Sequence, residues 1–344
     1  YRQFRVEEYK KPEFEVIVDA PEEPITLGDS FKAKVTAKYY FGSPVTKGEA
    51  QVKVKRTSKT ARFYPIRPWD WLYGRGYAFY QPEHTWYPGW KGWGCIAPPS
   101  PWGNWRNPQE ELIMDETLPL GPDGTVEVSI DTALALELHG DTDHEYSLEV
   151  DVTDESRRTI HGSGSVTAAR HPFEVFVSLD QGFYDQGDTI QLEAHARTPD
   201  GKPVQSDEVA VTLFQVDYQD GEPVETAVHA IETETDEDGQ LQATFQAPDA
   251  GQFRVLVRVS TENGVSIDGG RLFVVRTADF DGRDYRFNTL ELIPDRDTYA
   301  PGDRLRLMIN TEQENSTVVL FINPVNGIYQ DPIILRLPGK SLVK

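Results

Sequence analysis

Apolar and polar residues alternate along much of this chain, and the alternation comes in copies. Phe173, Val175 and Val177 alternate with Glu174, Phe176 and Ser178, and Ile190, Leu192 and Ala194 alternate with Gln191, Glu193 and His195. That period of two predicts strands with one buried face. Between the two runs stands Gly187-Asp188, a pair suited to a tight turn, where Gly accepts positive φ and Asp can bond its own backbone. The same phrase occurs at Pro12–Ala37 around Gly28-Asp29 and at Leu290–Ile309 around Gly302-Asp303. One strand, turn and strand leave an apolar face open, so each copy is expected to begin a larger β domain.

Further alternating runs follow each copy. After the first they lie near 30–40, 49–55, 112–118, 125–130, 146–152 and 163–169; after the second, near 209–217, 227–235, 240–247, 252–260 and 270–276. Turn signals such as Asp200-Gly201, Asp238-Gly239 and Asn263-Gly264 separate them. The expected architecture is all-β: serial immunoglobulin-like, seven-stranded antiparallel sandwiches. The expected divisions are 1–9, the last strand of a preceding domain; 10–170, a sandwich interrupted by an insertion at 57–110; 171–280, a second sandwich; and 281–344, a truncated third. The third shows strands near 288–294, 304–311, 316–322 and 331–338, about three short of a sandwich. Its apolar face (Leu305, Leu307, Ile309, Val319, Phe321) is expected to find cover on the second sandwich or a second molecule, unless these residues close a smaller sheet alone. Residues 131–139 fit either a short helix or an edge strand, since Leu134, Leu136 and Leu138 alternate within a helix-favouring composition.

The passages FRVEEYKKPEFEV (4–16), DVTDESRRTIHGSGSV (151–166), TDEDGQLQATFQAPDAGQFRVLVRV (235–259) and DRDTYAPGDRLRLMI (295–309) resemble the bacterial alpha-2-macroglobulins and their relatives. The resemblance covers nearly everything outside 57–110. By order, the three domains are similar to the third, fourth and start of the fifth macroglobulin domains of that family. It implies macroglobulin-type sandwiches in an exported envelope or periplasmic protein that traps proteases. In that family a bait segment is cleaved, the molecule closes on the protease, and a thioester often captures it covalently. The implied partners are neighbouring domains of the same larger protein and, through it, proteases; no cofactor is implied. The family thioester needs Cys followed by Glu-Gln, and Cys95 in GCIAPPS lacks it. This piece is therefore expected to be scaffold, without enzyme activity.

Composition narrows the alternatives. A net charge of −22 over 344 residues argues against nucleic acid, whose phosphates need clustered Lys and Arg. The single cysteine excludes an internal disulfide framework. No run reaches the roughly 18 apolar residues of a membrane span. No metalloprotease helix motif, P-loop or dinucleotide fingerprint is present.

The chemistry gathers in the insertion, which holds all seven tryptophans: Trp69, Trp71, Trp86, Trp90, Trp93, Trp102 and Trp105. With its tyrosines, prolines and glycines it reads as a small packed subdomain, most indoles less than half exposed. The competing readings are a glycan-stacking platform, which would make this a carbohydrate-binding or adhesive module, and a contact surface for another domain. His139, Asp141, Asp143, His144 and Glu145 have metal-binding types, yet read as a solvated loop. Asp236 and Asp238 read as a hairpin turn rather than a calcium loop. Gly162-Ser163-Gly164 reads as a bulge in a final strand. No catalytic, cofactor or metal residue is assigned.

Overall fold

Alternating burial turns the predicted runs into strands, two sheets deep. The computed structural model describes residues 14–59, 64–94, 110–322 and 331–344. It contains two units, residues 1–62 with 104–172, and residues 63–103 with 173–344. The proposed strand at Tyr1–Tyr9, Cys95, Trp102 and Trp105 lie outside the described residues.

The first unit holds β1 (Phe14–Asp19), β2 (Ile25–Thr26), β3 (Ser30–Tyr39), β4 (Gly48–Lys59), β5 (Glu111–Pro119), β6 (Thr125–Asp131), β7 (Asp143–Asp154) and β8 (Thr159–Ala169). Two sheets, β1-β3-β6 and β2-β8-β7-β4-β5, enclose one core. Along β7 every second residue points inward, and Tyr146, Leu148, Val150 and Val152 are at most 1% exposed. Each such side chain stabilises the sandwich by about 1.5–3 kcal/mol relative to exposure.

The second unit repeats this plan strand for strand. Its strands are β9 (Glu174–Leu179), β10 (Tyr184–Asp185), β11 (Thr189–Arg197), β12 (Glu208–Gln219), β13 (Glu222–Thr233), β14 (Gln240–Gln246), β15 (Gly251–Ser260) and β16 (Ser266–Arg276). The sheets are β9-β11-β14 and β10-β16-β15-β12-β13. Even the details recur. The two-residue strands β2 and β10 pair parallel to β8 and β16, and a register shift falls at Val54/Lys55 of β4 and at Leu213/Phe214 of β12. Among the described residues both sandwiches thus have seven long strands plus one two-residue strand, too short to show as an alternating run.

A third copy follows in β17 (Leu290–Pro294), β18 (Leu307–Thr311), β19 (Ser316–Leu320), β20 (Ile333–Leu337) and β21 (Ser341–Val343). The sheet β17-β18-β21 repeats β1-β3-β6, and β19-β20 repeats β4-β5. Its apolar face differs from the one expected. Ile309, Val318, Leu335 and Leu337 close on one another, while Leu305, Val319 and Phe321 are 51%, 45% and 73% exposed. In Val318-Val319 alternation alone cannot say which valine points inward. Cover comes partly from these residues themselves and partly from the second sandwich, because Met308 packs on Phe183, Val274 and Phe287.

The Gly-Asp turn takes one form in all three copies. Gly28, Gly187 and Gly302 have φ of 105°, 85° and 98°, and the following Asp amide donates to the carbonyl three residues back each time. Two copies add a clasp at identical spacing. The Tyr184 hydroxyl donates to Asp180 Oδ1 (2.7 Å) and the Tyr299 hydroxyl to Asp295 Oδ1 (2.6 Å). Within residues 131–139, Asp131 closes β6 and the leucines lie on a helix: α2 (Ala133–His139) follows the single turn α1 (Asp70–Tyr73) in chain order. Asp131 Oδ1 accepts from Ala133 N at 2.9 Å, an Asx-type turn that leads the chain out of β6 into the helix.

Candidate functional site

The insertion springs from the end of β4, yet its described part, residues 64–94, packs within the second unit. The reason is visible in the alternation of β9 and β11. With Val175, Val177, Leu192 and Ala194 facing the core, Phe176, Ser178, Glu193 and His195 must face outward. Phe176 is nevertheless only 1% exposed, because Phe79 and Tyr64 lie on it at ring distances of 5.4 and 5.7 Å. Phe79 also meets His195 edge-on at 6.4 Å.

Polar contacts pin the same stretch. The Arg67 guanidinium donates to Glu193 Oε2 (2.8 Å) and Ser178 Oγ (2.9 Å) and lies 5.4 Å from the Phe79 ring. His195 Nε2 bonds the other Glu193 oxygen at 2.8 Å. The His195 contact, and after it the Arg67 contacts, hold the Glu193 carboxyl down to about 2.

Residues 84–93 cover the opposite sheet. Trp93, 4% exposed, packs with Tyr87, Val216 and Leu272. The Arg254 guanidinium sits 5.1 Å from both the Trp93 and Phe214 rings and donates from Nη2 to Glu225 Oε2 at 2.9 Å. Tyr87 donates its hydroxyl to the same carboxylate, and Arg286 lies 4.8 Å from the Trp86 ring. Each partly desolvated cation and ring contact is worth on the order of 1–2 kcal/mol. Burial lowers His84 to about 4, with the nearby Arg271 charge adding to the effect.

Between these faces the insertion crosses the seam where β9 meets β16. Gly270 N donates to the Trp93 carbonyl (3.0 Å), and Arg271 Nη1 to the Ala78 carbonyl (3.2 Å). A Cβ on Gly269 would stand 2.4 Å from the Val175 carbonyl oxygen, so only glycine allows this approach. The first sandwich answers the reading of Gly162-Ser163-Gly164 in the same way. Strand β8 pairs with β7 without a bulge, and a Cβ on Gly162 would stand 2.6 Å from Val16 Cγ1. These glycines make room for the first strand of the sandwich.

The described tryptophans take three positions. Trp93 is buried, Trp86 and Trp90 are half-buried, and Trp69 and Trp71 are 40% and 76% exposed. The exposed pair sits at α1 with Ile66, Leu72 and Tyr73, which are exposed too, its rings tilted by 47° at 6.1 Å.

The remaining sequence candidates resolve one by one. His144 is not in a solvated loop; it begins the buried face of β7, 1% exposed, with Nε2 bonded to the His139 carbonyl at 3.1 Å. Asp143 Oδ1 accepts from Arg170 N at 3.0 Å. Among the described residues no group of three His, Cys, Asp or Glu side chains is placed to hold a metal. Asp236 braces a turn by accepting from Asp238 N and Gln240 N (2.9 and 2.8 Å). That turn is not a hairpin, since β13 and β14 belong to different sheets.

A groove of about 520 Å³ opens beside the insertion. Its floor is the outer face of β9-β11-β14, where Ser178, Glu193 and Gln242 form one row and Gln191 and Thr244 the next. Arg67, Trp69 and Tyr77 form one wall, and Arg296 and Thr298 from the loop before β18 form the other. Sequence reading missed it, because its floor residues look like any solvated strand face.

Comparison with known proteins fits this architecture. Residues 8–65 match the family model of macroglobulin domain MG3. An alpha-2-macroglobulin homolog from Nostoc sp. is 24% identical over 362 aligned positions, covering 98% of this chain and 17% of that protein. Solved structures give weaker likeness. Native alpha-2-macroglobulin of E. coli is 14% identical with a TM-score of 0.36, over 99% of this chain and 21% of that one. Salmonella alpha-2-macroglobulin reacted with methylamine gives 14% and 0.37, over 99% and 21%. The chain spans about a fifth of the length of these relatives, 17% to 21%. No helix among the described residues is long and apolar enough to cross a membrane. The chain is similar to the bacterial alpha-2-macroglobulins along nearly its whole length, with a macroglobulin domain match at residues 8–65.

Proposed function

We propose that the chain is a structural segment of an exported alpha-2-macroglobulin-like protein of the protease-trapping type, working in the periplasm or cell envelope. Its units would be serial macroglobulin domains over 10–170, 171–280 and 281–344, with 57–110 carried as an insertion in the first. The observation that carries this reading is the repeat itself. One eight-strand plan occurs twice and begins a third time, starting in the segment that matches the macroglobulin domain. A chain that repeats one sandwich and uses its apolar residues to join modules is suited to transmitting shape rather than to chemistry. Its partners on this reading are neighbouring domains and, through the whole molecule, proteases.

The test is made on the longer protein that contains this chain. Trypsin held by it should still cleave a small chromogenic peptide and lose activity on a large protein substrate. Undiminished cleavage of the large substrate at molar excess would refute the trapping role. The isolated chain should gain no mass from methylamine, since Cys95 lacks the Glu-Gln partner of a thioester.

A further inference from the structure

The groove beside the insertion has the chemistry of a sugar site. We propose that it binds a short stretch of neutral glycan, on a floor of sheet residues and against the face of Trp69. This site is independent of the trapping role and would stand if that role failed.

Arg67, Glu193, Arg296 and Asp180 of the groove are already engaged by protein, and Asp297, which also lines it, adds an acidic group that disfavours an anionic ligand. Arg67 is held by Glu193 and Ser178. Arg296 is held near Asp295 and Asp303, and Asp180 accepts from Tyr184. A phosphate or carboxylate ligand would have to displace these pairs, in a protein carrying −22. The floor instead offers uncharged amides and hydroxyls. Gln191, Gln242 and Thr244 are exposed and lie on three-stranded sheet positions paired as Gln191↔Thr244 and Glu193↔Gln242. Neighbouring strands lie about 4.8 Å apart, so polar side chains within a row stand roughly one pyranose unit from each other, and successive rows follow about 6.8 Å further along the strands. Planar amides that donate and accept side by side suit vicinal hydroxyls, which also donate and accept.

Trp69 supplies the apolar half of the site. It is 40% exposed, enough to present a ring face to the C–H groups of a sugar, and it is held in place. The Trp69 carbonyl accepts from Leu72 N and Tyr73 N, both at 2.9 Å, and Asp70 Oδ2 accepts from Arg67 N at 3.0 Å. The wall is therefore ordered before a ligand arrives, which lowers the entropic cost of binding. A groove of about 520 Å³ admits a few sugar units. An apolar peptide would find little to bury, since the exposed floor positions are polar.

Of the exposed tryptophans, Trp69 lines the groove, while Trp71 does not. Titration calorimetry of the whole chain with cellohexaose and with chitohexaose should show binding by at least one, with Kd between about 10 μM and 1 mM. Trp69→Ala should weaken it at least tenfold, and the double variant Gln242→Ala/Thr244→Ala several-fold. These side chains are outside the cores, so circular dichroism should be unchanged. Trp71→Ala should bind like the parent. Absence of heat from both hexasaccharides at about 10 mM overturns the proposal. So does binding that Trp71→Ala weakens as much as Trp69→Ala, because the sugar would then sit on the Trp71 side, outside the groove.

Discussion

Set side by side, the two sandwiches share a topology and differ on their outer faces. In β1 the outward Ile17 is 43% exposed; in β9 the residue at the same position, Phe176, is 1% exposed. In β8 the outward Ser165 is exposed, while its counterpart Leu272 in β16 is 8% exposed. The hairpins differ in parallel. Strands β12 and β13 are joined by Asp220-Gly221, both at positive φ (52° and 83°), whereas the same junction between β4 and β5 opens into the insertion. A fold repeated by copying has thus diverged in two matched places. One copy carries a long insertion at this hairpin junction, and the other carries apolar outer positions that receive it.

The largest effect expected from this contrast is at the receiving surface. Phe79→Ala should destabilise the second unit by about 3–5 kcal/mol, while Ile17→Ala in the first should cost under about 1 kcal/mol. Urea unfolding of each variant measures both. Equal losses would mean that the insertion contributes nothing to its host surface.

Acid should expose the next difference. His84 is buried and neutral, held at about 4 against an ordinary 6.5. Its unfolded form gains a proton as pH falls below 6.5 while the folded form does not, so stability is lost between pH 6.5 and 4, about 3 kcal/mol in all. Glu193 acts at lower pH. Its carboxyl is depressed to about 2, and its contribution, complete above 4.5, disappears as pH falls towards 2. Burial also holds His144 of the first sandwich low. His84→Gln should therefore flatten the loss above pH 4 in the second unit and leave that of the first in place. A thermal scan of both units from pH 7 to 4 that shows no change in the variant contradicts this assignment.

The smallest effect concerns the turn clasp. Tyr184→Phe removes a hydrogen bond to Asp180 and should cost about 1–1.5 kcal/mol. Ile25, at the matching place in the first copy, has no hydroxyl to lose, and Ile25→Val should cost no more than about 1 kcal/mol. Denaturant midpoints that rank the two the other way would show that the clasp is incidental.

Much of this fold was legible in the sequence because a half-buried strand declares itself in two-residue periodicity. The long strands of both sandwiches and the three Gly-Asp turns follow from it. Strands β2 and β10 escaped because two residues carry no period, and β21 because three scarcely do. The third core was misread at Val318-Val319, where two adjacent valines leave the inward side undecided. The docking of the insertion left a signal in Phe176, a large apolar ring on the outward phase of β9. A neighbour to cover it was implied, though nothing local named the neighbour. The clasp also left one, since Asp180 and Tyr184 share the spacing of Asp295 and Tyr299. The groove left none: Ser178, Gln191 and Gln242 alternate as any solvated face does, and they become a floor only once chain from elsewhere builds the walls.

The central claim is that the insertion belongs structurally to the second sandwich, though it grows from a hairpin of the first. Replacing residues 57–110 with an Asp-Gly dipeptide would give the β4–β5 hairpin the turn that β12–β13 already has. Hydrogen exchange on that protein, read amide by amide, tests the claim most directly. The amides of β9 and β16 should lose protection by at least tenfold, while those of β1, β8 and β7 from Tyr146 onward, beyond the stretch paired with residues 57–59, keep theirs. Unchanged protection in β9 and β16, or a loss confined to the first sandwich, would contradict it.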